Sequence, residues 1–322
     1  MFNASRIAFI ALTSALSVFA SHNAPAQAYP DKPIRIIVSN PPGSISDIVA
    51  RTVGSEMSKI LRQPVIVESK VGANQLIAYR YVAKKVPAGG YTLAFVTREN
   101  MAIMPATVKD LQFDPLNDLP PIIGLVEAKM VLASPLKAPW KNFQELVAYA
   151  KANPGKLNYG SSSPVTQLPV EALKYGLGMD IVNVMYPGAV NVQLITGEIQ
   201  LTFFTETYII GFEDKLRVLA ITGSKRVCPK YCDVPTFAEL GFPQIPSIGF
   251  SLNAPVGTPK AVLDILFAAA SRALREPEVR AILEKKFNLE IVGQTPEVAS
   301  KLFKERVIFF NGIAKETGVQ PQ

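Results

Sequence analysis

Apolar positions along the chain alternate between two rhythms, short β-branched runs and longer stripes of helical period. The run "IRIIV" predicts a strand over 34–38. In the stretch that follows, Ile48, Val49, Val53, Met57, Ile60 and Leu61 fall on one stripe while Arg51, Glu56 and Lys59 face away, which predicts a helix over 47–62. A strand over 65–68, a helix near 75–85 and a strand over 91–97 ("YTLAFVT") complete a β-α-β-α-β order. Such an order implies a mostly parallel sheet with helices on its faces. A proline-punctuated passage, "FDPLNDLPPI", precedes an apolar stretch over 121–134 that reads as a strand leaving this unit. A second α/β set follows: helix 142–152, strand 157–159, helix 166–177, strand 182–185, a short helix 190–196, and strands 199–204 and 216–221. The segment "IGFSLNAPVGTPKAVLDILFAAASRALR" predicts a strand, a turn and a long helix, with two more helical segments towards the C-terminus. The expected fold is α/β with two lobes, residues 29–128 with 248–322 and residues 129–247, each a mostly parallel sheet flanked by helices. The chain would cross between them near 126–132 and 245–252.

The first 28 residues follow a different pattern. One Arg, a near-continuous apolar run from Ile7 to Ala20 and the triplet Ala26-Gln27-Ala28 form the order of a secretory signal with an A-x-A cleavage site. The run is shorter than the ~20 residues a membrane span needs. A soluble, exported protein beginning at Tyr29 is expected.

Export changes the reading of the composition. The single histidine, His22, lies inside the predicted signal. Its removal leaves no Ser-His-Asp or Cys-His nucleophile system, no histidine-ligated metal and no histidine acid–base catalyst. Carboxylate-only hydrolysis stays open in principle, although no motif points to it. The chain has neither a G-x-G-x-x-G fingerprint nor a G-x-x-x-x-G-K-[ST] loop, the usual markers of nucleotide binding. Cys228 and Cys232, the two cysteines of the chain, are expected to close one small disulfide loop in an oxidising compartment, and they are too few for a zinc site. The net charge of +7 favours anionic partners. No basic run exceeds two residues, however, and no basic stripe is interleaved with aromatics, so nucleic acid is a poor candidate.

The chemistry concentrates in two strand-to-helix loops. In "SNPPGSISD", Ser44, Ser46 and Asp47 stand where a helix begins, and unpaired first-turn amides with the positive end of the helix dipole suit a carboxylate or phosphate. Taken alone, the loop reads equally as a plain helix cap. A second hydroxyl-rich loop, "NYGSSSPVTQL", leads into a helix of the other lobe. One such loop per lobe is what a cleft closing on an anion requires.

The ordered set "YPDKPIRIIVSNPPGSISDIVAR", "QPVIVESKVGA", "PAGGYTLAF", "NYGSS", "RVLAITGSKR", "DVPTFAELGF" and "APVGTPKAVLD" resembles the substrate-binding components of tripartite tricarboxylate transporters, the Bug-type extracytoplasmic solute receptors. The resemblance covers the chain from Tyr29. It implies a type II periplasmic binding protein fold with a Venus-flytrap cleft, no cofactor and no metal. Its further implications are a small organic acid as ligand, and membrane permease subunits or a sensor protein as partner of a monomer. Carried over by position, the ligand-binding residues are Pro42, Gly43, Ser44, Ser46, Asp47 and Asn74 in one lobe and Ser161, Ser162, Thr166 and Tyr186 in the other. The departures fall in the same loops. Asn40, Ser44 and Ile45 replace a Phe and two glycines; Asn74, Gln75 and Leu76 stand in the family's G-G-N; and Gln167 and Gln193 replace a His and an Asp. Lost glycines leave backbone amides less free to turn towards a ligand and let side chains intrude. Ile45, Leu76, Phe203 and Phe204 near the inferred cleft therefore keep a second ligand class open, a less polar or aromatic acid or amide. A ligand-sensing protein without a transport role is the remaining alternative.

Overall fold

The computed structural model describes residues 29–186, 188 and 190–318, so the predicted export signal and His22 lie outside the described residues. The buried run Ile34–Val38 forms β1. It leads through a Pro-Pro-Gly turn into α1, Ile45–Leu61, capped by the Ser44 hydroxyl, which accepts from the Asp47 amide at 3.3 Å. The chain continues through β2 (Val65–Ser69), α2 (Leu76–Lys85), β3 (Thr92–Thr97), α3 (Arg98–Thr107) and β4 (Pro121–Ala128). It then crosses into a second sheet. There β5 (Met130–Pro135), α4 (Phe143–Ala152), β6 (Leu157–Ser161), α5 (Pro164–Leu177), β7 (Ile181–Met185), α6 (Asn191–Thr196), β8 (Leu201–Thr205) and β9 (Leu216–Ile221) follow one another. The return strand β10 (Ile248–Asn253) re-enters the first sheet, and α7 (Lys260–Ala273), α8 (Pro277–Arg280), β11 (Glu290–Gln294) and α9 (Pro296–Thr317) complete the fold.

The first sheet has the order β11-β4-β10-β3-β1-β2 and the second β7-β6-β8-β5-β9. Both are mixed, which corrects the expectation of mostly parallel sheets. β1 runs parallel to β2 and β3, and β6 to β7 and β8, as helix crossovers require. The strands that carry the chain between lobes enter in the opposite sense. β10 is antiparallel to β3 and β4, and β5 to β8 and β9. An apolar run carries no record of strand direction, so the pattern alone did not separate the two cases. For the same reason the stretch 121–134 is two strands in two sheets, broken at the half-buried Lys129.

The crossings are stitched side by side. Met130 donates its amide to Thr222 Oγ1 at 2.8 Å, and Thr222 Oγ1 lies 2.9 Å from Ser247 Oγ. α9 lies across the junction: Phe303, Val307 and Phe310 pack with α3 and with Val165 and Leu168 of α5, while Phe309 and Ile313 reach the core of the second lobe. Among the described residues, no helix is long and apolar enough to cross a membrane.

Candidate functional site

Two adjoining cavities of about 240 and 330 Å³ lie between the strand ends of the two sheets and share Asn100, Thr205, Tyr208 and Ile248 in their walls. They form one cleft. Among the described residues, no Asp, Glu, Lys or Arg lines either cavity. A charged ligand in this cleft is therefore met by dipoles and neutral hydrogen-bonding groups.

On the first lobe, Ser44, Ile45 and Ser46 line the wall at the N-terminus of α1. The Ser44 hydroxyl takes the Asp47 amide and the Ser44 carbonyl takes the Ile48 amide, while no acceptor among the described residues takes the amides of Ile45 and Ser46. Those two donors sit at the positive end of a 17-residue helix. Asp47 is buried and braces the loop, accepting from the Gly43 amide at 3.0 Å and from Arg51 Nε at 2.9 Å. Burial opposes its charge, yet the Arg51 guanidinium and the Gly43 amide outweigh that effect and hold its carboxyl below the usual carboxylate range.

The β2–α2 connection brings in a group that the resemblance does not supply. Ala73, Asn74 and Gln75 have φ of 45°, 49° and 77° in succession, all in the left-handed region. This turn buries Gln75 against the cleft and leaves Asn74 exposed, outside its lining. The Gln75 amide has a fixed orientation. The Thr97 amide donates to Tyr79 Oη at 3.0 Å, and Tyr79 donates its own proton to Gln75 Oε1 at 2.5 Å, so Gln75 Nε2 is the end of the amide left without an acceptor among the described residues. Burial pushes the Tyr79 hydroxyl up to about 12, which keeps that proton in place.

On the second lobe, Ser162, Ser163 and Thr166 line the cleft together with Val165, Val190, Phe203, Phe204 and Tyr208. The α5 N-terminus is partly closed on itself, with the Val165 amide left without an acceptor among the described residues. Thr166 Oγ1 accepts from the amides of Ser162 and Ser163 at 3.1 and 3.3 Å and donates to the Ser163 carbonyl at 3.0 Å. Ser161 is buried, with its hydroxyl on Asn183 Oδ1 at 2.7 Å, and Tyr186 donates to Glu198 at 2.8 Å.

Of the residues carried over by resemblance, Ser44, Ser46, Ser162 and Thr166 meet in the cleft. Pro42, Gly43, Asp47, Asn74, Ser161 and Tyr186 lie behind or beside it, outside its lining. Gln75, Asn100, Thr205 and Tyr208 are lining residues that the sequence reading did not select. Asn100 sits on α3, a helix whose apolar stripe is interrupted by the buried Arg98 and Glu99 and by Pro105. Ile45, Phe203 and Phe204 also line the cleft, whereas Leu76 packs into the core beneath it. Cys228 and Cys232 are bonded to each other, away from the lining, and Lys230 between them reaches Glu206 Oε1 at 3.1 Å.

Two lobes joined by two adjacent crossings, with an uncharged cleft between their strand ends, define a solute-binding protein. The chain belongs to the tripartite tricarboxylate transporter family of receptors, whose profile matches residues 49–319. It is similar over 91% of its length to 99% of a structure described as a periplasmic transporter, with 37% identity and a TM-score of 0.77. An R. palustris protein with adipate matches at 25% identity and TM-score 0.76, covering 91% of this chain and 100% of that one. MatC from Rhodopseudomonas palustris with bound malate matches at 26% and 0.73, covering 89% and 100%. These likenesses carry the type II, two-lobed periplasmic binding fold.

Proposed function

We propose that this chain is an exported periplasmic receptor, without catalytic activity of its own, that captures a small organic carboxylate and presents it as a monomer to a membrane permease. Its lobes, residues 29–128 with 248–322 and residues 129–247, would close around the ligand. The observation that carries this reading is the pair of amides at Ile45 and Ser46 that, among the described residues, have no acceptor, beside Ser46 and Gln75 in a cleft that no charged side chain of the described residues lines. Helix-terminal amides and fixed neutral donors suit an anion there. The adipate and malate held by the two R. palustris proteins agree with that chemistry.

A donor to a charged group contributes about 1.5–3 kcal/mol. Ser46→Ala is therefore expected to weaken carboxylate binding by roughly 10- to 150-fold in calorimetric titration, with little change in melting temperature. A gently purified sample should release a carboxylate in native mass spectrometry. Unchanged affinity in Ser46→Ala, or co-purification of an uncharged ligand alone, would remove this reading.

A further inference from the structure

The two crossings have a second face. In each, one residue lines a separate cavity of about 230 Å³ and the next lines the cleft: Glu127 then Ala128, and Ser247 then Ile248. Successive side chains of an extended segment point to opposite faces, so this cavity lies behind the segments that floor the cleft. Glu127 of β4 and Arg306 of α9 face it from one side, and Phe237, Ala238 and Ile245, from the segment after β9, face it from the other.

The charged groups of this cavity are incompletely paired. Arg306 makes one hydrogen bond, from Nη1 to the Gln244 carbonyl at 3.2 Å, and its Nε is buried with no acceptor among the described residues. Glu99 Oε1 lies 3.9 Å from that Nε, beyond hydrogen-bond reach, and already accepts from Arg98 Nε at 2.8 Å. Burial pulls the Arg306 guanidinium below the usual arginine range by more than Glu99 and Glu127 restore. On the opposite charge, Glu127 takes both terminal nitrogens of Arg98 on Oε1, at 3.1 Å each. Its Oε2 is left without a donor among the described residues.

We propose that this cavity binds a free α-amino acid with an aliphatic side chain, its carboxylate on Arg306 and its ammonium on Glu127 Oε2. Arg98 and Arg306 balance Glu99 and Glu127, so the cluster is neutral, and a guest of no net charge leaves it so. A bare anion or cation would bring an uncompensated charge out of water, which is disfavoured. A zwitterion supplies the acceptor that Arg306 lacks and the donor that Glu127 lacks, both as charge-assisted hydrogen bonds. Phe237, Ala238 and Ile245 receive its hydrocarbon end. In the two-lobed closure proposed above, a rotation about the crossings that narrows the cleft widens the cavity behind them. A guest that touches both of its sides therefore opposes closure of the cleft.

The test is calorimetric titration of the protein with leucine, which is expected to bind at one saturable site. Arg306→Met keeps the apolar stem and removes the guanidinium, and it is expected to weaken leucine by at least about 10-fold while circular dichroism stays unchanged. Ala238→Phe fills the cavity from its exposed rim, leaves the charged cluster alone and should do the same. Leucinamide and N-acetyl-leucine each lack one of the two charges and should compete with leucine at least about 10-fold less well than leucine itself. No leucine binding up to about 10 mM would overturn the site, as would parent affinity in both variants. Equal competition by either analogue would overturn the zwitterion. Small-angle scattering of the leucine-saturated protein is expected to give a radius of gyration no smaller than that of the free protein. A smaller one would overturn the opposition to closure. None of these outcomes touches the carboxylate reading of the cleft, which Ser46→Ala tests separately.

Discussion

Ala73, Asn74 and Gln75 each occupy a left-handed conformation that costs an L-residue about 1–2 kcal/mol. The departures from glycine lead one to expect less mobile amides and intruding side chains in this loop, and the side chain of Gln75 does line the cleft, on a backbone that keeps a left-handed turn. Residue identity alone does not reveal a positive φ outside glycine, so which of the intruding side chains faces the cleft was illegible, whereas the hydroxyls of Ser44 and Ser46 were visible from their place before a helix. Ala73 is exposed, so Ala73→Gly is expected to raise stability by about 0.5–1 kcal/mol in urea unfolding, after the greater freedom of glycine in the unfolded chain is subtracted. A loss of stability would show that Ala73 is unstrained. Asp47 yields a pH prediction. Its carboxyl lies below the usual range when folded, so the unfolded state binds its proton first. The stability it contributes is complete above the ordinary Asp pKa of about 3.9 and is lost as the pH falls through the lower folded value. Asp47→Asn should flatten that part of the acid limb in denaturant titrations between pH 2 and 6; an unaltered limb would place the brace elsewhere.

Helices with clean stripes and caps were the most legible elements. α1 and α4 appear within two residues of their expected bounds at each end, because Ser44 and Asn142 cap them and one face is apolar. α3 and β11 were not legible. The first buries Arg98 and Glu99 as a pair, which breaks the apolar period, and the second is a short edge strand with a mostly half-buried pattern. The α5 start shows the limit of motif reading. Its serines and threonine announce a hydroxyl-rich loop, but only the hydrogen bonds reveal that Thr166 caps the turn rather than facing a ligand with a free hydroxyl. Thr166→Val should therefore act on stability, since it strips the acceptor from two amides. A loss of about 1–2 kcal/mol is expected from urea unfolding, comparable to removing an N-cap. An undiminished midpoint would mean that water replaces the hydroxyl without cost.

The frame of the molecule is set where the two crossing strands meet. Glu99 is fully buried, accepting from Arg98 Nε at 2.8 Å and from the Gly249 amide of β10 at 2.7 Å, and Arg98 also reaches Glu127 of β4 at 3.1 Å. This cluster clamps the start of α3 to both strands, just before β4 leaves the first sheet and just after β10 re-enters it. Removing one partner of a buried pair strands the other charge, so Glu99→Gln is expected to cost about 3–5 kcal/mol in unfolding experiments. Beyond the clamp, Lys129 and Ser247 are the points at which the chain passes between lobes. Rotation about these two segments is the motion that the topology allows, with α9 bridging the far side. A ligand drives such a rotation only through contacts it makes better in the closed form. In the proposed function those contacts would come from both walls at once, the donors around Ser46 on one lobe and the lining around Phe204 and Tyr208 on the other. Small-angle scattering with a carboxylate proven to bind should therefore show a smaller radius of gyration than the free protein. Ser46→Ala, saturated with the same acid at higher concentration, should compact less, because one wall has lost its hold. An unchanged radius in the parent protein would mean that the lobes are already closed without ligand, and the hinge proposal would fall.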